Sequence, residues 1–411
     1  MRPAQFFDTL WIDCHLATMA GRDDYGIVRN GALAVKDGRI AWIGAAEELP
    51  GHPATLAARV EALGGAWVTP GFIDCHTHLV YAGNRSNEFE MRLKGASYQE
   101  IAKAGGGILS TVHAVRAASE DEILTQSLPR LKALMTDGVT TLEIKSGYGL
   151  DTPNELKLLN VIRRLAADTP LTIVPTFLGA HAVPLEFKGR ADDYVQVVVQ
   201  EILPEVARRG LAHAVDVFCE NIGFSLAQTE RIFEAARAYG LRVKLHAEQL
   251  SDTQGAVLAA RHKALSVDHL EYLAIRDIPA LVAGGCVAVL LPGAFYYLNE
   301  TRKPPVQALR DAGVPMAVST DANPGTSPVL SIRSMMNMAC VLFQLTPAEA
   351  LAGVTVHAAR ALGLQDEIGT LEKGKAADFA VWDIDTPADL GYQLGGGFLR
   401  HAVKNGRQVI L

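Results

Sequence analysis

From about residue 68 to residue 320 the chain alternates between short apolar runs and longer stretches whose apolar positions recur at helical spacing. Eight runs read as strands: 68–79, 140–146, 171–180, 214–220, 242–247, 265–270, 287–291 and 315–320. Between them lie helical patterns such as 120–136, 153–167, 194–209 and 229–238, several closed by a glycine at 138, 210 or 240. Eight strand-helix units over about 290 residues fit a closed parallel (β/α)8 TIM barrel of the α/β class, wrapped by helices. The alternative is an open doubly wound sheet, but no G-x-G-x-x-G follows an early strand to favour it.

The pattern changes at both ends. Residues 1–65 read as short strands, and in 31–44 two apolar runs flank Asp37-Gly38, a pair that supplies the positive φ of a tight hairpin. Near the other end AADFAVWDID is strand-like, and Asn405-Gly406 separates HAVK from RQVIL. An isolated hairpin is marginal in water. The two ends are therefore expected to join into one small β-sandwich domain, 1–65 plus 364–411, split by a catalytic barrel at 66–363. Length alone, at roughly 150 residues per domain, would have suggested two or three separate units from 411 residues.

Composition narrows the function classes. Hydrophobic residues make up 49% and charged residues 20%, enough to bury a large core, and the net charge of −7 comes without a long Lys/Arg run. Nucleic acid and anionic lipid are thus unlikely partners. The longest apolar stretch, 286–298, is shorter than a membrane span and contains Pro292 and Gly293. The first ten residues lack the apolar core of a secretion signal, and five widely spaced cysteines form no C-x-x-C pair, so a cytoplasmic protein is expected.

In a barrel the chemistry sits at the carboxyl ends of the strands. The first run, VTPGFIDCHTHL, ends with His76 and His78, which share one face because strand side chains alternate; Cys75 and Thr77 take the other. The fifth run ends with His246, the sixth with His269 and the eighth with Asp321. Any one could be a satisfied polar residue, but four strand ends each offering a metal ligand or proton carrier form a pattern. Imidazoles with a carboxylate suit one Zn²⁺ or iron ion with an open position for water, whose pKa such an ion lowers to about 7. Asp321 is the candidate to take the water proton and pass it to a leaving nitrogen, and His269 to stabilise the oxyanion.

Taken together, GFIDCHTH, KLHAE, VDHLE, STDANPG and the late GTLEKGKAADFAVWD resemble the amidohydrolase superfamily across the whole chain. The stretches HTHLVYAGNRSNEFEMRLKGASYQEIAKAGGGI, EIKSGYGL, PTFLGAHAVP and STDANPGTSP are most similar to its branch that hydrolyses a cyclic amide, opening the ring of 4-imidazolone-5-propanoate to N-formimidoyl-L-glutamate in histidine degradation. The resemblance implies metal ligands at His76, His78, His246 and Asp321, one divalent zinc or iron ion (Fe²⁺ or Fe³⁺), catalytic roles for Asp321 and His269, and a homodimer. It also implies substrate contacts at Arg85, Tyr148, His181, Gln249, Asn323, Gly325 and Thr326. A flat polar ring with a propionate tail needs a cation and several hydrogen-bond partners, and Arg85, nine residues past His76, can supply the cation. The other reading is a heterocycle deaminase. Deaminases of the superfamily tend to carry Glu three residues after the fifth-run histidine, where this chain has Gln249, an amide that transfers no proton at neutral pH. A non-catalytic scaffold would be expected to lose ligands, and none is missing. Two-metal relatives carry a carboxylated lysine on the fourth run; Lys145 lies on the second, which favours an ion-pair role.

Overall fold

The computed structural model describes residues 7–21, 24–96, 100 and 105–409. The outer ends of the expected small domain (1–6 and 410–411) and part of the family-like loop motif (97–99 and 101–104) lie outside the described residues.

Among the described residues the strands form two sheets. One holds β1 (Phe7–Ala17), β2 (Ile27–Lys36), β3 (Arg39–Ala45) and β4 (Ala57–Pro70). The other follows directly with β5 (Phe72–Asp74), β6 (Val139–Lys145), β7 (Thr172–Ala180), β8 (Ala214–Cys219), β9 (Arg242–Val243) and β10 (Leu245–Ala247). It continues through β11 (Ser266–His269), β12 (Val287–Leu290) and β13 (Met316–Val318). Then β14 (Phe379–Trp382), β15 (Leu399–Lys404) and β16 (Arg407–Gln408) return to the first sheet.

The second sheet is a parallel barrel in sequence order, with the expected fifth strand divided at Lys244 into β9 and β10. It closes between its first and last strands through a parallel bridge, Thr77 to Ala322, and the hydrogen bonds Asp321 N to His76 O (3.0 Å) and His78 N to Ala322 O (3.0 Å). This closure carries His76, His78 and Asp321 to one rim. Helices pack outside it with local signals in register: Ser119 and Glu122 form a capping box on helix Glu120–Thr136, and Asp151 caps helix Thr152–Asp168. The expected helix 194–209 is divided: a π-helical turn, Val198–Ile202, leads into Leu203–Arg208, at whose start Pro204 has no N–H to give.

The first sheet runs β16-β15-β14-β4-β1-β2-β3 and is curled so that its edge strand β3 meets the segment leading into β14, with Ile40 N donating to Lys375 O (2.9 Å) and Arg39 bridged to Ala376. Its interior is lined by Trp11, Leu33, Val68, Phe379 and Val403, so the layers of the small domain are halves of one sheet.

The run 68–79, expected as one strand, is shared between the two sheets. Gly71 N donates to Asp378 O (3.0 Å) on the small-domain side, and Phe72 N donates to Gly138 O (3.0 Å) on the barrel side. A Cβ at Gly71 would lie 2.3 Å from Thr140 Oγ1, so the handover requires a glycine.

Candidate active site

Beyond Asp74 the chain leaves regular pairing, yet the alternation persists. His76 and His78 turn into the barrel mouth, while Cys75 packs among Ile73, Val289 and Ala358 toward the helices. Asp321 Oδ1 lies 3.4 Å from both His76 Nε2 and His78 Nε2, and His246 Nε2 lies 3.3 Å from His78 Nε2. His269 joins them, its ring 5.4 Å from that of His246 and 5.7 Å from that of His76. Two residues of the set depart from ordinary backbone, His269 with φ 83° and Asp321 with φ 51°.

The donor set fits a divalent cation. The ligand atoms of His76, His78 and Asp321 lie within 4.8 Å of one another, as do those of His76, His246 and His269. Asp268 Oδ2 meets His76 Nδ1 at 2.5 Å, which places a proton on that Nδ1 and leaves the Nε2 lone pair facing inward, and Asp216 Oδ2 lies 3.0 Å from His246 Nδ1 as a charge contact on the same side of that ring. Among the described residues His76 Nε2 and His78 Nδ1 have no hydrogen-bond partner although fully buried. Burial holds His76, His78 and His269 well below the usual imidazole pKa, so their rings are neutral, the form in which an imidazole can bind a metal ion. Burial also pushes the Asp321 carboxyl up to about 7. A cation beside it would lower it again.

Behind the histidines lies a buried charge cluster that sequence reasoning missed, apart from the suggested ion pairing of Lys145. Glu143 Oε1 accepts from Lys145 Nζ (2.8 Å), Lys244 Nζ (3.0 Å) and Thr176 Oγ1 (2.7 Å), and Lys145 also meets Asp216 Oδ2 at 2.8 Å. Burial alone would raise Asp216, but His246 and Lys145 hold it well below the carboxylate range. Held between two carboxylates, Lys145 stays an ammonium and is no candidate for carboxylation. The available signal was a charged residue inside several of the apolar runs, as in LEIK, AVDVF, RVKLH and SVDH.

Above the histidines opens a cavity of about 480 Å³, within the range of small-ligand sites. His78, His246, His269 and Asp321 reach its floor, and Arg85, Tyr148, His181, Gln249, Asn323 and Thr326 line its walls. Gly325 does not line it but backs Arg85: a Cβ there would lie 2.1 Å from Arg85 Nη1. Phe218, Ile222, Leu250 and Leu298 add an apolar rim that the sequence did not single out. His181 Nδ1 donates to Gly147 O (3.1 Å), leaving its Nε2 as an acceptor, and its ring stacks 5.1 Å from that of His78.

Each wall residue is held from behind. Glu155 accepts from Gly147 N (3.0 Å), Gly149 N (2.7 Å) and Leu150 N (2.9 Å), which fixes the loop carrying Tyr148. Glu220 Oε1 accepts from Gln249 N (2.6 Å) and Leu250 N (3.0 Å). Glu248, the neighbour of Gln249, turns away and accepts from Gly255 N (2.7 Å) and Ala256 N (2.9 Å) at a helix start. Asn323 Oδ1 accepts from Gly325 N (2.8 Å) and Thr326 N (2.7 Å). A second, larger cavity of about 1050 Å³ lies at the small domain and contains none of these side chains.

Histidines and an aspartate at the carboxyl ends of barrel strands, with a small sheet built from both chain ends, define a class. Residues 67–409 match the family model described as "Amidohydrolase family", and the chain belongs to that family. Solved structures share the fold: an adenosine deaminase from Xanthomonas campestris with bound zinc superimposes with a TM-score of 0.72 at 18% identity, covering 99% of this chain and 93% of that one. A 5-methylcytosine deaminase from Klebsiella pneumoniae gives 0.73 at 16% identity, covering 98% and 97%. Sequence relatives are far nearer. A Ralstonia nicotianae protein named imidazolonepropionase is 61% identical over 97% of this chain and 98% of its own length, and a Colwellia psychrerythraea protein of the same name is 56% identical over 98% of each. Within the amidohydrolases the chain belongs with the imidazolonepropionases.

Proposed function

We propose that the chain is an imidazolonepropionase, a hydrolase that opens 4-imidazolone-5-propanoate with water to give N-formimidoyl-L-glutamate. The observation that carries this reading is one cavity joining a floor of His78, His246 and Asp321 to walls bearing Arg85, Tyr148, His181 and Gln249. Full-length relatives of that name support it. His76, His78, His246 and Asp321 would hold one ion, zinc or iron. When bound, the ion supplies Lewis acidity toward the ring carbonyl and a lowered pKa for water.

The protein's own groups do the rest. Arg85 receives the propionate, and Tyr148, His181, Gln249, Asn323 and Thr326 orient the ring. Asp321 Oδ1, beside two imidazoles, accepts the proton of the attacking water and returns it to the ring nitrogen as its bond to the carbonyl carbon breaks. His269 faces the oxygen on which charge develops. The apolar rim excludes bulk water and strengthens each of these contacts.

The division into 1–65 plus 364–411 and 66–363 is part of this reading, supported by the path of the two sheets. Among the described residues no helix is long and apolar enough to cross a membrane. The homodimer rests on the resemblance, and the cytoplasmic location on the wide spacing of the five cysteines, which form no C-x-x-C pair. The test is elemental analysis of purified protein combined with an assay of imidazolonepropanoate consumption that monitors ammonia. Ring opening releases none, so ammonia release, or a metal-replete protein that leaves the substrate intact, overturns the proposal.

A further inference from the structure

We propose that Glu88 is a positioning residue that sets specificity for a carboxylate-bearing substrate by committing one edge of the Arg85 guanidinium. A single oxygen, Glu88 Oε2, accepts from Arg85 Nε (3.0 Å), Arg85 Nη2 (2.8 Å) and Gly107 N (3.0 Å). Both side chains are 17% exposed, so this is no solvated helix-surface pair of the kind that contributes little.

The post that carries Glu88 is itself anchored. Its helix, Ser86–Leu93, stacks Phe89 on Tyr297 with centroids 5.2 Å apart, and Arg92 lies over the same Tyr297 ring at 4.9 Å. On the opposite side the missing side chain of Gly325 leaves room for Arg85 Nη1. The guanidinium is thus held between Glu88 and the turn that starts at Asn323. Of its five N–H groups, two are spent on Glu88 along the Nε/Nη2 edge. The Nη1/Nη2 edge keeps the planar fork that a carboxylate engages with two parallel hydrogen bonds. The bond to Gly107 also ties the cavity wall at Gly107 and Ile108 to the same carboxylate.

This inference rests on the reading that Arg85 meets the substrate carboxylate, and a double-mutant cycle separates the two. The proteins are the metal-loaded parent, E88Q, R85A and E88Q/R85A, each with kcat, KM and a thermal melt. Competitive inhibition by 3-(imidazol-4-yl)propanoate and by tailless 4-methylimidazole is measured alongside.

Freed to rotate, Arg85 loses a charge-assisted contact, so E88Q is expected to raise KM about tenfold with kcat changed less than about threefold. It should weaken the propanoate about tenfold and leave the tailless imidazole unchanged. In the R85A background E88Q should change kcat/KM less than about twofold. An equal E88Q effect in both backgrounds, equal weakening of both inhibitors, an unchanged KM or loss of the cooperative melt each overturns the role of Glu88. If R85A leaves KM and propanoate binding unchanged while E88Q behaves as an independent change, the reading of Arg85 fails first.

Discussion

Replacing Gly325 by Ala adds one methyl group at the closest approach between the turn that starts at Asn323 and Arg85. The new Cβ would stand 2.1 Å from Arg85 Nη1, 2.8 Å from Cζ and 3.3 Å from Nη2. Ordinary contact begins near 3.4 Å, so something must move by more than 1 Å. The turn resists, because Asn323 Oδ1 binds Gly325 N and Thr326 N and Asn323 Nδ2 donates to Asp321 O (2.7 Å). The guanidinium, the far end of a flexible side chain, should yield. Gly325 is not among the residues with positive φ, so Ala adopts its backbone without strain. Displacing a substrate-positioning group by about 1 Å costs up to roughly 100-fold. We therefore expect kcat/KM for the imidazolone to fall between about 10- and 100-fold, mostly through KM, with the melting temperature within about 3 °C of the parent. Steady-state kinetics and a thermal melt check this. Activity within threefold of the parent would show that Arg85 does not work from this position, and a large loss of melting temperature would show that the turn had moved.

Other outcomes follow from the same geometry. Asp216→Asn and Asp268→Asn remove the partners of His246 Nδ1 and His76 Nδ1 and should each loosen the metal about 10- to 100-fold, measured by chelator competition; unchanged affinity would refute their orienting role. Asp321→Asn should keep its melt and lose nearly all turnover, and substantial residual activity would remove Asp321 from proton transfer. All five cysteines are free, and burial pushes Cys14 and Cys286 up to about 12 and Cys340 to about 11, so a thiol reagent at pH 7.5 should react slowly and reach the part-exposed Cys340 first. Burial, with Arg360 alongside, lowers His357 to about 4, so the unfolded state binds the extra proton as pH falls below 6.5. Stability should therefore drop between about pH 6.5 and pH 4, and His357→Asn should flatten that part of a stability-against-pH curve.

What the sequence made legible was whatever depends on periodicity. The apolar runs locate the barrel strands, and alternation places His76 and His78 on one face even though both lie past the paired part of β5. Alternation cannot tell which sheet a run joins, so 68–79 reads as one strand, whereas the hydrogen bonds of Gly71 to Asp378 and of Phe72 to Gly138 divide it between two sheets. Nor could it say that Asp268 and His269, adjacent on a strand, would both serve the histidine cluster. Asp268 reaches His76 from β11, and the left-handed backbone at His269 turns the next side chain to the mouth. The cavity walls come from loops, where no period applies. Arg85, Tyr148 and Gln249 were reached only through resemblance, and Glu88, Glu155 and Glu220 behind them carry no sequence signature beyond an acidic residue near a loop.

The split sheet also has a consequence for synthesis on the ribosome. β4 pairs on one side with β1, but its other side awaits β14, whose register runs from Phe379 opposite Pro70 to Trp382 opposite Trp67. Throughout the translation of the whole barrel, β4 therefore offers an open row of N–H and C=O groups next to Val68 and Trp67. Such an edge is a template for pairing with another chain. The nascent protein carries this open edge until residues 379–382 emerge and pair with it.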